Sequence, residues 1–195
     1  MARAQDSTVH LCIDMQRLFT HEGPWPTPWM DRVKPNVARL VEADPRRTIF
    51  TRFIPPHTAD EATGVWRDYY ARWRNVTTSV LDPRLLALVS PLDRHAHQAT
   101  VIDKRTYSAF GEPRLLAHLR EHGVTGVIVT GSETDVCVLS SVLDAVDIGL
   151  RVTVVEDAVC SSSDDGHDAL MMLYRERYSL QIQTARTDEI LADWT

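Results

Sequence analysis

The sequence predicts a three-layer, Rossmann-like α/β/α sandwich built on a six-stranded parallel sheet. Three observations support this prediction. Six short apolar runs are rich in Val, Ile and Thr, and longer helical patterns alternate with them along the chain. The apolar runs are continuous and lack a polar alternate face, which is typical of parallel strands buried on both sides. Right-handed crossovers between such strands then cover both faces of the sheet with helices.

The six predicted strands are short. They cover residues 7–15, 46–53, 99–104, 125–131, 151–158 and 178–184. If the order in the sheet is 3-2-1-4-5-6, strands one and four are neighbours, but strand three lies two strands from strand one. At the usual strand spacing this separation is about 10 Å. A site that combines residues of strands one and three therefore needs a long side chain.

Three helices are predicted between the later strands, over residues 111–121, 134–148 and 164–177. Pro113 suits a first helical turn, and Gly149 is a natural C-terminal stop. Either Ser162 or Ser163 is expected to cap the third helix. We expect one domain over residues 1–195.

Residues 54–82 form an aromatic-rich helical insert between strands two and three. Trp66, Tyr69, Tyr70 and Trp73 lie on one helical face, at i, i+3, i+4 and i+7. This face could pack on the domain or on a second subunit, and one or two of its rings could wall a substrate pocket. The two interpretations are compatible.

The composition argues against some partners. The net charge is −6, so no broad cationic field attracts nucleic acid or an anionic membrane. No apolar run approaches the roughly 18 residues that span a bilayer, and the first residues lack a signal-peptide core. We therefore expect a cytoplasmic protein. Its three cysteines, an odd number, are expected to be thiols.

Three reactive residue types follow the strand ends. Asp14 ends strand one, Lys104 ends strand three, and Cys137 follows strand four. Ligands of such sheets bind at this carboxyl edge. A lysine favours the thiolate by its charge, a carboxylate can accept the thiol proton, and helix-terminal amides can bind an oxyanion. Taken singly, each residue also fits a cap, a solvated rim position or the core.

Three segments resemble the isochorismatase-like cysteine hydrolases: CIDMQRLF, IDKRTYSAF and TGSETDVCVLSSVLDAVDIGLRVTVVEDA. The resemblance covers roughly residues 8–186 and implies the same six-stranded sandwich. It implies a catalytic triad of Asp14, Lys104 and Cys137 and a cis peptide bond between Ser132 and Glu133. It also implies an oxyanion hole formed by the backbone amides of Glu133 and Cys137.

The resemblance also bears on metals and cofactors, and we expect neither. Nicotinamidase-like members carry an Asp-x-His metal motif after strand two, whereas Phe53 and Pro55 stand at the matching positions here. His57 alone does not make a metal site.

The candidate pocket residues are mostly aromatic. They are Gln16, Phe19, Trp25, Arg52, Trp66, Tyr70, Tyr107 and Phe110. Gln16 matches a family position that lines the site. Arg52 could hold an anionic substrate group or form a structural ion pair.

These residues predict a cysteine hydrolase that cleaves a C–N bond of a small amide, ureide or carbamoyl substrate through a thioester. The alternatives are an isochorismatase-type vinyl-ether hydrolase and a non-catalytic α/β binding module. The segment 160–169, CSSSDDGHDA, offers Ser, His and Asp together, but a capped helix start with acidic residues explains it more simply. The expected partners are a small-molecule substrate and further copies of the chain, as a dimer or tetramer.

Overall fold

A six-stranded parallel sheet forms the centre of the structure, a computed structural model that describes residues 8–194. Its strands are β1 (Thr8–Ile13), β2 (Thr48–Phe53), β3 (Thr100–Lys104), β4 (Gly126–Ser132), β5 (Arg151–Cys160) and β6 (Ile182–Ala185). The order is β3-β2-β1-β4-β5-β6, and every neighbouring pair is parallel. The predicted fold class is confirmed.

Helices cover both faces of this sheet. They are α1 (Met30–Ala43), α2 (Val65–Arg72), α3 (Pro113–Glu121), α4 (Leu139–Ile148), α5 (Asp164–Glu176) and α6 (Thr187–Asp193). Side chains of α1, α2 and α6 pack into one apolar layer, and those of α3, α4 and α5 pack into the other. Within residues 8–194, no helix is long and apolar enough to cross a membrane.

The helix α1 is the main element that the sequence analysis missed. Val33, Val37, Leu40 and Val41 follow a helical period and are buried, but Pro35 interrupts the pattern. Proline removes one backbone hydrogen bond and usually ends a helix. Here the buried stripe against the sheet outweighs that loss. The helix α6, at the C-terminal end, was also not predicted.

The segment after β4 differs from the predicted helix over residues 134–148. It begins with a π-helical turn, Thr134–Val138, before the regular helix α4. Gly149 ends this helix in the left-handed conformation, with φ 92°, as predicted. The π turn is the segment that carries Cys137.

Gly131 allows β1 and β4 to lie close together just before this turn. Its φ is 112°, and a Cβ atom at this position would lie 2.0 Å from the Ile13 carbonyl oxygen. Both the backbone angle and the contact exclude larger residues. The glycine therefore fixes how closely the turn approaches the end of β1.

His10 is a buried titratable residue in the middle of β1. Its Nε2 lies 2.8 Å from the Thr130 hydroxyl, and its Nδ1 lies 3.3 Å from the Thr48 hydroxyl. Burial lowers the pKa of His10 to about 3, so the imidazole is neutral at physiological pH.

This burial makes the stability of the fold depend on pH. The unfolded chain binds a proton at His10 near pH 6.5, whereas the folded chain does so only near pH 3. The contribution of neutral His10 is therefore complete above pH 6.5 and is lost as the pH falls towards 3. We predict that His10→Gln reduces the fall in unfolding free energy between pH 6.5 and 4 by up to about 1.4 kcal/mol per pH unit.

Urea unfolding at several pH values measures this effect. His97→Gln is the control, because His97 is exposed. An identical pH dependence in the wild type and in His10→Gln would contradict the prediction.

Candidate active site

Asp14, Lys104 and Cys137 meet at the carboxyl edge of the sheet. The Lys104 Nζ lies 2.6 Å from the Asp14 Oδ2, and both side chains are completely buried. The thiol of Cys137 interacts electrostatically with both charged groups. Because β2 lies between β3 and β1, the side chain of Lys104 must extend past β2 to reach Asp14. Its Nζ lies 5.1 Å from the centre of the Phe53 ring, at the end of β2. The structure thus brings together the three residues of the predicted triad.

Neighbouring strands hold the charged pair in place. The Thr51 hydroxyl donates to the Asp14 Oδ1 at 2.6 Å, and the Asp14 amide donates to the Thr51 hydroxyl at 3.1 Å. The Lys104 Nζ donates to the carbonyls of Thr106 and Tyr107, each at 3.0 Å. These bonds compensate the two buried charges, which would otherwise be very unfavourable.

The charges also set the protonation of the site. Burial alone would lower the pKa of Lys104, but Asp14 and Cys137 outweigh it and raise that pKa, so the amine is charged. Burial raises the pKa of Cys137, and the opposing charge of Lys104 does not cancel this effect. The resting sulfur is therefore a thiol. The charge of Lys104 does not keep this thiol ionised, contrary to what the sequence favours, and Asp14 is the carboxylate beside it.

The turn before Cys137 has an unusual backbone. The Ser132–Glu133 peptide bond is cis. The Glu133 carbonyl accepts hydrogen bonds from the amides of Val136 and Val138, so these two amides are used inside the turn. The predicted oxyanion donors, the amides of Glu133 and Cys137, belong to the same turn.

Side chains of this turn are attached to the loop between β5 and α5. The Glu133 carboxylate accepts hydrogen bonds from the amide of Ser162, at 2.9 Å, and from its hydroxyl. The Asp135 Oδ1 accepts one from the Ser161 hydroxyl at 2.5 Å. Two residues that flank Thr134 are therefore tied to one loop, which restricts the position of the turn that carries Cys137.

A third contact joins the turn to α5 itself. The Thr134 hydroxyl lies 2.9 Å from the His167 Nδ1. Ser163 caps the helix, because its hydroxyl accepts a hydrogen bond from the Gly166 amide at 3.0 Å. The segment 160–169 is thus a capped helix start, as predicted, and it also supports the catalytic turn. Sequence reasoning missed this second role, because only the tertiary fold reveals the partner.

Aromatic rings cluster around Phe53, at the end of β2. The Trp66 ring centre lies 4.8 Å from that of Tyr107 and 5.5 Å from that of Tyr69, and Trp25 lies 6.1 Å from Tyr69. Burial, together with the charges of Tyr107, Cys137 and Glu133, raises the pKa of Tyr69 to about 12. Tyr69 therefore belongs to the same aromatic cluster as Trp66 and Trp25, although sequence reasoning selected only Trp66 and Tyr70 from its helical face.

Four other predicted pocket residues occupy different positions. Tyr107 is at the rim and 39% exposed, whereas Tyr70 is buried and stacks on Trp66. Phe19 is buried and stacks on Trp25, with 6.1 Å between the ring centres, so it packs behind the cluster of rings formed by Trp25, Trp66, Tyr69 and Tyr107. Phe110 is half-buried against the apolar layer of α3, α4 and α5, and within residues 8–194 it makes no ring contact with that cluster.

Two polar pocket predictions need correction. Gln16 is completely buried, and its side-chain amide bonds with the backbone of Phe53 and Leu86, so it ties the ends of β1 and β2 to a loop. Arg52 forms a two-pronged ion pair with Asp103 at 2.6 and 2.8 Å, which corresponds to the structural alternative. The Gln16 side chain is therefore not available to a substrate in this arrangement, and Arg52 is engaged by Asp103.

The residues after β2 do not fit a metal. Phe53 is buried at the position of the metal-binding carboxylate of nicotinamidase-like members, and its ring contacts Trp25 and Trp66. His57 is exposed, and its backbone makes hydrogen bonds: its amide donates to the Glu61 carboxylate, and its carbonyl accepts from the Ser79 amide. In the part of the chain that the structure describes, no three His, Cys, Asp or Glu side chains converge. No catalytic step is assigned to a metal.

We predict that Lys104→Met lowers the unfolding free energy by about 3–5 kcal/mol, because it leaves Asp14 buried without its cation. The double variant Asp14→Asn/Lys104→Met should recover part of this loss. Arg52→Met is the control, since its ion pair with Asp103 is partly exposed and should contribute about 0–1 kcal/mol. Chemical denaturation measures all three. Equal losses in Lys104→Met and Arg52→Met would show that the buried pair has no special role.

Comparison with known proteins agrees with this architecture. The isochorismatase domain matches residues 8–186. The chain is 29% identical over 181 residues to a probable inactive nicotinamidase of Arabidopsis thaliana, covering 87% of this chain and 88% of that protein. It is 30% identical over 127 residues to the maleamate amidohydrolase of Pseudomonas putida, covering 65% of this chain but only 57% of that enzyme.

Among solved structures, a cysteine hydrolase from Pseudomonas syringae pv. phaseolicola shares the fold. The TM-score is 0.83 at 21% identity, and the match covers 96% of this chain and 92% of that one. The matched domain spans almost all of the described residues. The chain therefore belongs to the isochorismatase family of hydrolases.

Proposed function

We propose that the protein is a cysteine hydrolase that cleaves the C–N bond of a small amide, ureide or carbamoyl compound through a thioester. The observation that carries this proposal is the buried Asp14–Lys104 ion pair in electrostatic contact with the Cys137 thiol. A nucleophile, a base and a cation that stabilises the base are thus next to each other.

In the first half of the reaction, the Cys137 Sγ attacks the carbonyl carbon while Asp14 accepts the thiol proton. The negative charge passes to the carbonyl oxygen, which the backbone amides of Glu133 and Cys137 bind. The tetrahedral intermediate then collapses, the C–N bond breaks, and Asp14 returns its proton to the departing ammonia or amine. The product of this half is a thioester on Cys137.

In the second half, water replaces the amine. Asp14 removes a proton from the water, which attacks the thioester carbonyl, and the C–S bond then breaks. The acid leaves and the thiol is regenerated with the proton that Asp14 held. Lys104 keeps the charge of the site balanced in both halves, and no cofactor takes part.

Two alternative functions would require different residues. Hydrolysis of a vinyl ether requires an acid but no thiol, so it does not explain a thiol beside a base. A non-catalytic binding module is the second alternative, and one relative is described as a probable inactive nicotinamidase. Three catalytic residue types that are still in contact favour turnover over this alternative.

We predict that Cys137→Ala lowers ammonia release from a panel of small amides by about a thousandfold or more, because the covalent route is lost. Cys160→Ala is the control, since Cys160 is also a buried free cysteine. Mass spectrometry of the quenched wild-type enzyme should find an acyl group on Cys137. Full ammonia release in Cys137→Ala would contradict the covalent route through Cys137, and inactivity of the wild type with the whole panel would favour the vinyl-ether hydrolase or the binding module.

A further inference from the structure

Two histidines lie side by side at the C-terminal end of α3. His118 is in the last turn of this helix, and His122 follows the helix as its C-terminal cap. Their ring centres are 4.3 Å apart. Residues four apart occupy the same face of a helix, and two histidines at this spacing can bind one zinc ion.

The tautomer of His122 is fixed by a hydrogen bond. Its Nδ1 lies 2.9 Å from the carbonyl oxygen of His118. A carbonyl oxygen only accepts, so the neutral ring carries its proton on Nδ1 and keeps a lone pair on Nε2. Metal-binding histidines usually donate their other ring N–H to a carbonyl or a carboxylate, which orients the ring. His122 therefore already makes the supporting hydrogen bond that a metal ligand needs.

The ring of His118 can take the second ligand position. Within residues 8–194 no hydrogen bond or ion pair occupies its ring nitrogens. The two ring planes are tilted by 34°, the His118 ring is half-buried, and His122 is exposed. Such side chains rotate on a fast timescale, so both lone pairs can turn towards one ion at about 2.0–2.1 Å.

A second pair of neighbouring histidines differs in this respect. The His95 Nε2 accepts a hydrogen bond from the Arg94 Nε at 3.1 Å, and the His97 Nε2 lies 3.2 Å from the Gln98 Nε2. A metal ion would have to displace these donors from both rings. The pair at 95 and 97 therefore serves as a control for the pair on α3.

The end of α3 also suits a cation. The last carbonyl groups of a helix carry a partial negative charge, which attracts positive groups. Glu121 adds a negative charge in the same turn, whereas Arg120 adds a positive one, and both side chains are exposed. Charges of opposite sign that are screened by water largely cancel, so the attraction of the helix end remains.

We propose that His118 and His122 bind one divalent late first-row metal ion, Zn²⁺ or Cu²⁺. In the part of the chain that the structure describes, no third His, Cys, Asp or Glu side chain joins them, so water completes the coordination. The helix α3 runs from the carboxyl end of β3 to the amino end of β4. The site is therefore at the edge of the sheet opposite Cys137 and does not depend on the proposed function.

Zinc binding can be measured directly and assigned to residues. Protein treated with a chelator is titrated with Zn²⁺ in a calorimeter. In a parallel experiment diethyl pyrocarbonate, which acylates imidazole nitrogens that are not coordinated, is added with and without Zn²⁺, and peptide mass spectrometry follows each histidine. We expect Zn²⁺ to slow the acylation of His118 and His122 several-fold. Mg²⁺ at the same concentration should have no effect, because it prefers oxygen ligands.

Substitution tests whether the two rings act together. His118→Asn and His122→Asn should each weaken Zn²⁺ binding by about a hundredfold, because a single ring lacks the advantage of two linked ligands. The matched control is His97→Asn, which removes another exposed histidine and should leave the Zn²⁺ affinity unaltered. The readout depends on added metal, so a loss of the helix cap alone does not imitate the effect.

Three results would overturn the proposal. They are an unaltered Zn²⁺ affinity in His118→Asn, protection of His95 and His97 without protection of the pair on α3, and no measurable Zn²⁺ binding by the wild type. Each of these results leaves the nucleophilic role of Cys137 untouched, since hydrolysis of an amide is measured separately.

Discussion

The organisation of the site depends on one constraint, the burial of an ammonium and a carboxylate side by side. Asp14 and Lys104 are inaccessible to water, so every charge and donor needs a partner inside the protein. Thr51 and the carbonyls of Thr106 and Tyr107 supply these partners. The carboxyl ends of β1, β2 and β3 must therefore lie side by side, and Cys137 lies at the same edge of the sheet.

The turn that carries Cys137 is held by a different set of interactions. Gly131 brings β4 close to β1, and the turn that follows is tied to the loop before α5 through Glu133, Thr134 and Asp135. The Thr134 bond is buried and the Asp135 bond is partly buried, where hydrogen bonds to charged groups are stronger than in water, whereas the Glu133 bond to Ser162 is exposed. The backbone amides that could bind an oxyanion are thus fixed before any substrate arrives.

Aromatic rings at the end of β2 and in the insert over residues 54–82 lie near the buried ion pair. The ring of Phe53 occupies the end of β2 and contacts both the Lys104 ammonium and Trp66. The helix α2 adds Tyr69 beside the thiol, and Tyr107 completes the rim. The structure covers one chain, so packing of the same helix on a second subunit stays a prediction.

The sequence by itself determined the strands, their buried character and the residue types at their ends, because hydrophobic period and turn residues are local properties. It also contained the match of Asp14, Lys104 and Cys137 to a known order of motifs. Only the tertiary structure decided which polar side chains face the site. Gln16 bonds to backbone, Arg52 pairs with Asp103, and residues 160–169 hold the catalytic turn. These choices depend on distances between residues far apart in the chain, which no local pattern records. Helix α1 was missed for the converse reason: Pro35 is a local signal against a helix, and burial against the sheet outweighs it.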